Sequence, residues 1–361
     1  MHSLLLPFAA LAATAPVPAS YEGVWQGTLG DQPVRACFTN REWGPFGAYY
    51  YLSHLKLIAL ETPEKGSAAY REGSDADAKG PEWIVDTVAG AELLGRWVGG
   101  GRTLPIRLKR LAAPAGDETP CASGLFHAPR LSGLGTSSRR ATKDGVGYTI
   151  RSLDTRGRFE ATVETFQLDG AGAAVARINS ALRKPLSDEA SEWLECVRGA
   201  LDSRPAEGGY DDRHEPSMIS SRWLAVTHHW DVYCGGAYPD AGYDYRTFDR
   251  ATGAEVDLHD WLTAAAVKRE RFEGEPDIKT LRPAFVRVIL KGWKPDQADC
   301  AEAVTSQEYW TIGLTRTGLL FTPLLAHVVQ ACGEDFAIPF ARLRPFLTPE
   351  GAKNVRALPP R

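Results

Sequence analysis

No run of about eighteen apolar residues occurs in the 361-residue sequence, so no segment of it reads as a membrane-spanning helix. Basic residues are in slight deficit: 41 Lys and Arg against 45 Asp and Glu leave a net charge of −4. No basic block stands out, which argues against nucleic-acid binding, because that requires clustered cations facing the phosphates. The six cysteines include no Cys-x-x-Cys pair of the kind that holds structural zinc. A Gly-x-Ser-x-Gly nucleophile elbow is missing, and Gly99-Gly100-Gly101 lacks the Lys-Ser/Thr of a phosphate loop. Internal repeats and low-complexity tracts are missing too. No cofactor is expected from these features.

The composition is that of a globular chain, with 43% apolar and 24% charged residues. Its 35 Gly and 24 Pro imply many turns and a β-rich architecture. The length predicts about two domains. Residues 1–19 read as a secretory signal. Leu4-Leu5-Leu6 and Phe8 to Ala13 form a short apolar stretch, and small-x-small sites follow at Ala13-Thr14-Ala15 and Val17-Pro18-Ala19. No Cys follows this stretch, so a lipid anchor there is not expected. Export to the periplasm or the medium suits the even count of cysteines, which is expected to form disulfides in an oxidising compartment. Six cysteines allow many connectivities, and the sequence does not choose among them. Nearest neighbours, Cys37–Cys121, Cys196–Cys234 and Cys300–Cys332, are the working expectation.

Residues 20–111 alternate like strands and predict an antiparallel β-meander or small barrel, with Trp25, Trp83 and Trp97 as core or rim aromatics. Tyr49–Leu60 reads as one long strand. Residues 112–146 read as a linker, 147–348 as an α+β domain and 349–361 as a tail. The fold class is therefore α+β. In the second domain a hairpin spans Tyr148–Leu168. Helices are expected over Val175–Leu182, from Ser187 through Trp193 to Leu201, over Leu258–Lys268 and over Lys279–Leu290. Strands are expected at Trp223–Cys234 and Tyr243–Asp249, and a last hairpin joins Tyr309–Leu314 to Leu319–Phe321.

Strand parity separates Leu224, Val226, His228, Trp230, Val232 and Cys234 from Thr227, His229, Asp231 and Tyr233. His229 and Asp231 project side by side, as a two-ligand metal site or a base with its orienting acid requires. A third ligand would have to come from His214 or His259. Polar residues on a solvated sheet face explain the pair equally well, and that reading is favoured. Asp240, Asp244 and Asp249 lack calcium-loop spacing and read as turn residues. Tyr49-Tyr50-Tyr51 and Trp43 have the chemistry to stack on a glycan, but core packing is favoured. Gly235-Gly236 after a buried strand permits positive φ and a sharp corner.

The stretch Tyr233-Cys234-Gly235-Gly236-Ala237-Tyr238-Pro239, with Thr247-Phe248-Asp249-Arg250-Ala251-Thr252-Gly253 and the acidic segment Glu255 to Leu262, resembles the signature of the RsiV-like C-terminal domain. Gly318-Leu319-Leu320-Phe321-Thr322-Pro323 and Ile338-Pro339-Phe340 extend the resemblance over about residues 145–348. Tyr238 stands where that family usually has His, and His327 lies where it often has Pro-Tyr. The family includes the ectodomain of a lysozyme-sensing anti-sigma factor and an appendage of peptidoglycan deacetylases. The resemblance implies a non-catalytic binding or sensing module at the cell envelope, with peptidoglycan fragments or a lysozyme-like protein as partner. The expected contact residues are Gly235, Gly236, Tyr238, Asp240 and Tyr243, with His229 and Asp231 beside them. The alternative is a cell-envelope hydrolase, metal-assisted, working through His229 and Asp231.

Overall fold

Alternating apolar residues in the first hundred positions close into an antiparallel barrel. The structure is a computed structural model describing residues 21–41, 44–62, 67–73, 80–111, 119–184, 186, 191–272, 274, 277–295 and 298–358. The expected leader, Trp43, and Ser187 with Asp188 and Glu189 lie outside these residues. Contacts divide the chain into two units. The first holds the chain to Ser132 together with Ala200–Glu207, and the second holds Gly133–Gly199 and Gly208–Arg361.

In the first unit, β1 (Gly23–Leu29), β2 (Gln32–Arg41), β3 (Gly44–Tyr51), β4 (Ile58–Glu61), β5 (Ala69–Glu72), β6 (Glu82–Ala89), β7 (Glu92–Gly99) and β8 (Arg102–Arg110) pair in sequence, and β8 returns to β1. Trp25, Phe38, Tyr49, Tyr70 and Trp83 are fully buried in the core. Tyr49 and Trp83 lie with ring centroids 4.5 Å apart. The barrel is thus filled by its own aromatics, the usual outcome at eight strands. Tyr50 has the opposite parity and packs on Phe126 of α1 (Gly124–Leu131), with Cys37–Cys121 fixing the approach to that helix. The buried Arg130 guanidinium holds the Glu207 carboxylate through both of its oxygens.

The second unit is built on a six-stranded sheet of order β14-β13-β12-β11-β10-β9, from β9 (Gly135–Lys143), β10 (Val146–Asp154), β11 (Ala161–Leu168), β12 (Gly209–Ile219), β13 (Trp223–Tyr233) and β14 (Asp240–Asp249). Only β11 and β12 run parallel among these pairs. A parallel pair requires a long crossover, and α2 (Ala173–Ala181) and α3 (Glu192–Ala200) lie within it. The chain continues through a 3₁₀ turn (Leu258–Trp261), the hairpin β15 (Val267–Glu270) and β16 (Ile278–Leu281), then α4 (Pro283–Ile289) and α5 (Ala298–Thr305). It ends with the three-stranded sheet β17 (Trp310–Leu314), β18 (Gly318–Pro323) and β19 (Phe336–Pro339), then α6 (Phe340–Leu343) and α7 (Pro349–Arg356).

Each face of the large sheet has its own core. Leu224, Val226 and Phe248 cluster with Ile178 and Leu182, at the end of α2. Met218, Trp223 and Ala225 cluster with Trp261 and with Ile312, Leu314, Leu319 and Phe321 of the small sheet. All three disulfides join nearest neighbours: Cys37–Cys121, Cys196–Cys234 and Cys300–Cys332.

The structure corrects several expectations. Tyr49–Leu60 is two strands, because the backbone reverses after Tyr51 with Leu55 at φ 61°. Leu258–Lys268 is a short 3₁₀ turn followed by a strand. Thr263 donates its N–H to Phe346 and Leu262 bridges to Leu347, which takes this backbone out of any helix. Within Lys279–Leu290 the first residues form β16, and the helix begins only at Pro283, where a missing N–H is harmless. The 112–146 stretch contains α1 and β9, and the expected tail contains α7 behind an N-cap at Thr348.

Gly27 gives the barrel closure its sharpest requirement. A Cβ there would lie 2.0 Å from the Arg107 carbonyl oxygen on β8. Gly27→Ala should lower the free energy of unfolding by about 1–3 kcal/mol, measured by urea denaturation; an unchanged midpoint would contradict this close approach.

Candidate functional site

The two faces of β13 carry two different groups of polar side chains. His228 projects to the face shared with Leu224 and Val226, and His229 to the face shared with Trp223 and Ala225, as strand parity requires. What each histidine meets is decided by β12. Ile219 pairs with Leu224 and Met218 with Ala225, but Pro216 pairs with Val226, so the register shifts by one residue between Pro216 and Met218. Continued without that bulge, the pairing would place His214 opposite His229. With it, His214 lies opposite His228 and Asp212 opposite Trp230.

The consequence is a buried polar cluster. The His214 and His228 rings stack with centroids 4.2 Å apart and planes 2° from parallel. Trp230, which covers Gly242, lies 5.0 Å beyond His228. His228 Nε2 is 3.3 Å from Asp212 Oδ1, and His214 Nδ1 is 3.8 Å from the same oxygen. Lys184, two residues past Leu182, reaches Asp212 with Nζ 2.5 Å from Oδ1. Tyr210 adds its hydroxyl at 3.4 Å from Oδ2.

Electrostatics follow from this geometry. Burial alone would raise the Asp212 pKa, but His228 and Lys184 overcome it and hold the carboxyl at about 2. Burial, reinforced by the Lys184 and His228 charges and opposed by Asp212, pushes His214 down to about 3, so its imidazole is neutral across the physiological range. Burial raises the Tyr210 hydroxyl above its ordinary value, and Asp212 adds to the effect. His214 Nδ1 and His228 Nε2 are both buried, and neither makes a hydrogen bond.

The residues singled out from sequence lie mainly on the other face and in the loop after β13. His229 rests against Tyr243 at 4.9 Å, and Asp231 is exposed opposite Ala241. Gly235 and Gly236 adopt φ 95° and 91°, the left-handed region that favours glycine. Cys196–Cys234 anchors the loop, and the Tyr233 hydroxyl donates to the Gly236 carbonyl at 2.8 Å. Tyr238 is 69% exposed and 6.4 Å from the His327 ring; Tyr243 is 49% exposed; Asp240 begins β14 on the exposed rim.

His229 and Asp231 do not meet the third ligand considered for them. His214 sits with His228 on the opposite face, and His259 Nδ1 pairs with Asp257 Oδ1 at 2.7 Å. Among the described residues, one group of His, Cys, Asp and Glu has metal-binding proximity: Asp212, His214 and His228. Asp212 and His228 escaped the sequence reading, which had no strand at 209–219. The available signal was Asp212-Arg213-His214, an i, i+2 pair just before a hairpin.

No family model matches the sequence, and no curated protein matches it. Several solved structures are similar in part. A DUF3298 family protein from Pseudomonas aeruginosa PAO1 aligns with a TM-score of 0.36 and 16% identity over 63% of this chain and 98% of its own. A member of the same family from Bacteroides fragilis NCTC 9343 aligns at 0.38 and 10%, over 63% and 99%. The likeness to an RsiV-like domain therefore rests on the motif residues alone.

The Asp212–Lys184 pair should matter to stability. Lys184→Met leaves the buried Asp212 carboxylate without its lysine partner. It should cost about 2–3 kcal/mol, under the ~3–5 kcal/mol of a fully buried broken pair, because the Lys184 side chain is 22% exposed. Chemical denaturation with no added metal measures the loss, and a change below about 0.5 kcal/mol would show that the pair contributes little.

Proposed function

We propose that the protein is an exported cell-envelope binding module that recognises a partner non-covalently at the Gly235–Gly236 loop. The contact surface in this reading is Tyr238, Tyr243, His229, Asp231 and Asp240. One observation carries it: two large aromatics, Tyr238 and Tyr243, stand exposed on backbone that is held in place. Exposed apolar rings cost free energy in water, and rigid tyrosines are favoured anchors of protein interfaces because little entropy is lost on binding. The loop is anchored by Cys196–Cys234. Beside Tyr238, His327 opens a 3₁₀ turn tied down by Cys300–Cys332, with Val328 also exposed.

The charge around these rings favours a cationic protein over a neutral glycan. Asp231 and Asp240 present carboxylates at the exposed end of the sheet, and charges at an interface rim steer an oppositely charged partner. A lysozyme-like protein has that character; the resemblance of residues 233–262 to a lysozyme-sensing family points the same way. Three disulfides fit work in an oxidising compartment outside the cytoplasm. No helix among the described residues is long and apolar enough to cross a membrane.

Titration calorimetry with a lysozyme and, separately, with peptidoglycan fragments tests this reading. Lysozyme should bind, Tyr238→Ala and Tyr243→Ala should each weaken it at least tenfold, about 1.4 kcal/mol, and Asp231→Asn with Asp240→Asn should flatten its salt dependence. Binding of the glycan alone, or lysozyme binding indifferent to both tyrosines, would overturn it.

A further inference from the structure

We infer that Asp212, His214 and His228 form a site for one divalent transition-metal ion of the zinc class, and that Lys184 is the internal cation such an ion displaces. The donor set is two imidazoles and one carboxylate, which suits zinc and leaves a fourth position open. One ligand atom from each residue already lies within 4.8 Å of the others. Around a tetrahedral zinc with bonds near 2.0–2.1 Å, ligand atoms sit about 3.3 Å apart, so closing the site requires the side chains to draw together and the two rings, stacked within 2° of parallel, to turn toward a common point.

A second observation points to a ligand independently. His214 is 7% exposed, and its Nδ1, directed toward Asp212, is buried without a hydrogen bond. A buried polar atom left in that state is destabilising, and coordination removes the cost.

Lys184 explains how the cluster is stable without an ion. Its ammonium supplies the one positive charge that the Asp212 carboxylate needs. The lysine stem is 22% exposed, so the head can move to solvent as the ion enters, and the equally exposed His228 gives the route in. The two cations therefore compete for the same carboxylate.

Zinc titrated calorimetrically into the untagged full chain, freed of metal by a chelator, should bind one ion per chain. His228→Ala should weaken binding at least a hundredfold, and His229→Ala, one residue away on the opposite face, should leave it unchanged. Lys184→Met should bind at least tenfold more tightly, and zinc should raise its melting temperature more than that of the unaltered chain, since the stabilisation a ligand gives grows with the logarithm of its affinity. Cobalt in place of zinc should give the visible absorption of a four-coordinate nitrogen and oxygen site. Circular dichroism checks that each variant is folded, and His228→Gln replaces His228→Ala if that variant is not. Absence of stoichiometric binding in both the unaltered chain and Lys184→Met, or binding that survives loss of His228, overturns the assignment.

Discussion

One extra residue in β12 organises the second unit. The register shift between Pro216 and Met218 sends Ile219 to the face covered by α2 and Met218 to the face covered by the small sheet, and it then keeps Pro216, His214 and Asp212 on the α2 side. Without it, Asp212 and His214 would exchange faces with Arg213 and Glu215. Lys184 would then lose its carboxylate, and the Arg213 and Glu215 charges would turn into the space below α2. Burying those charges unpaired would cost several kcal/mol, which makes the observed register the favoured one.

The same shift separates two kinds of chemistry along one strand. Consecutive residues His228 and His229 face opposite ways. The first enters a stacked, partly buried array with His214 and Trp230, balanced by the Lys184 charge. The second lies against Tyr243 on a face that carries exposed rings and carboxylates beside a disulfide-anchored loop. The proposed cation site and the proposed partner surface therefore share β13 while using different atoms, and each can be altered without touching the other.

Much of the architecture was legible in the sequence. The barrel followed from period-2 alternation such as Val34, Ala36 and Phe38. The cysteine pairing agrees with the nearest-neighbour working expectation, which no feature of the sequence selected, and the two faces of Trp223–Cys234 followed from parity. β12 was not legible, because its sequence, Gly209 to Ile219, shows no apolar alternation and contains Pro216. Its buried positions include Asp212 and His214, and the Asp212 carboxylate is tolerated there because Lys184, 28 residues earlier in the chain, supplies a partner. Such compensation is tertiary, and a local pattern does not reveal it. The helix expected at Leu258–Lys268 failed for a related reason. Leu258, Trp261 and Leu262 have helical spacing, but the backbone of 262–263 bonds to 346–347. The sequence points to the neighbouring His229 rather than to the metal-capable set of Asp212, His214 and His228, since no rule of spacing foretells a bulge.

The pairing of β12 with β13 is the claim on which both surfaces depend, and backbone NMR reads it directly. Cross-strand proton contacts between His214 and His228, and between Asp212 and Trp230, are the predicted result. Contacts of His214 with His229 instead would mean a regular hairpin with the faces of β12 reversed, and neither the buried cluster nor its separation from the Tyr243 surface would stand.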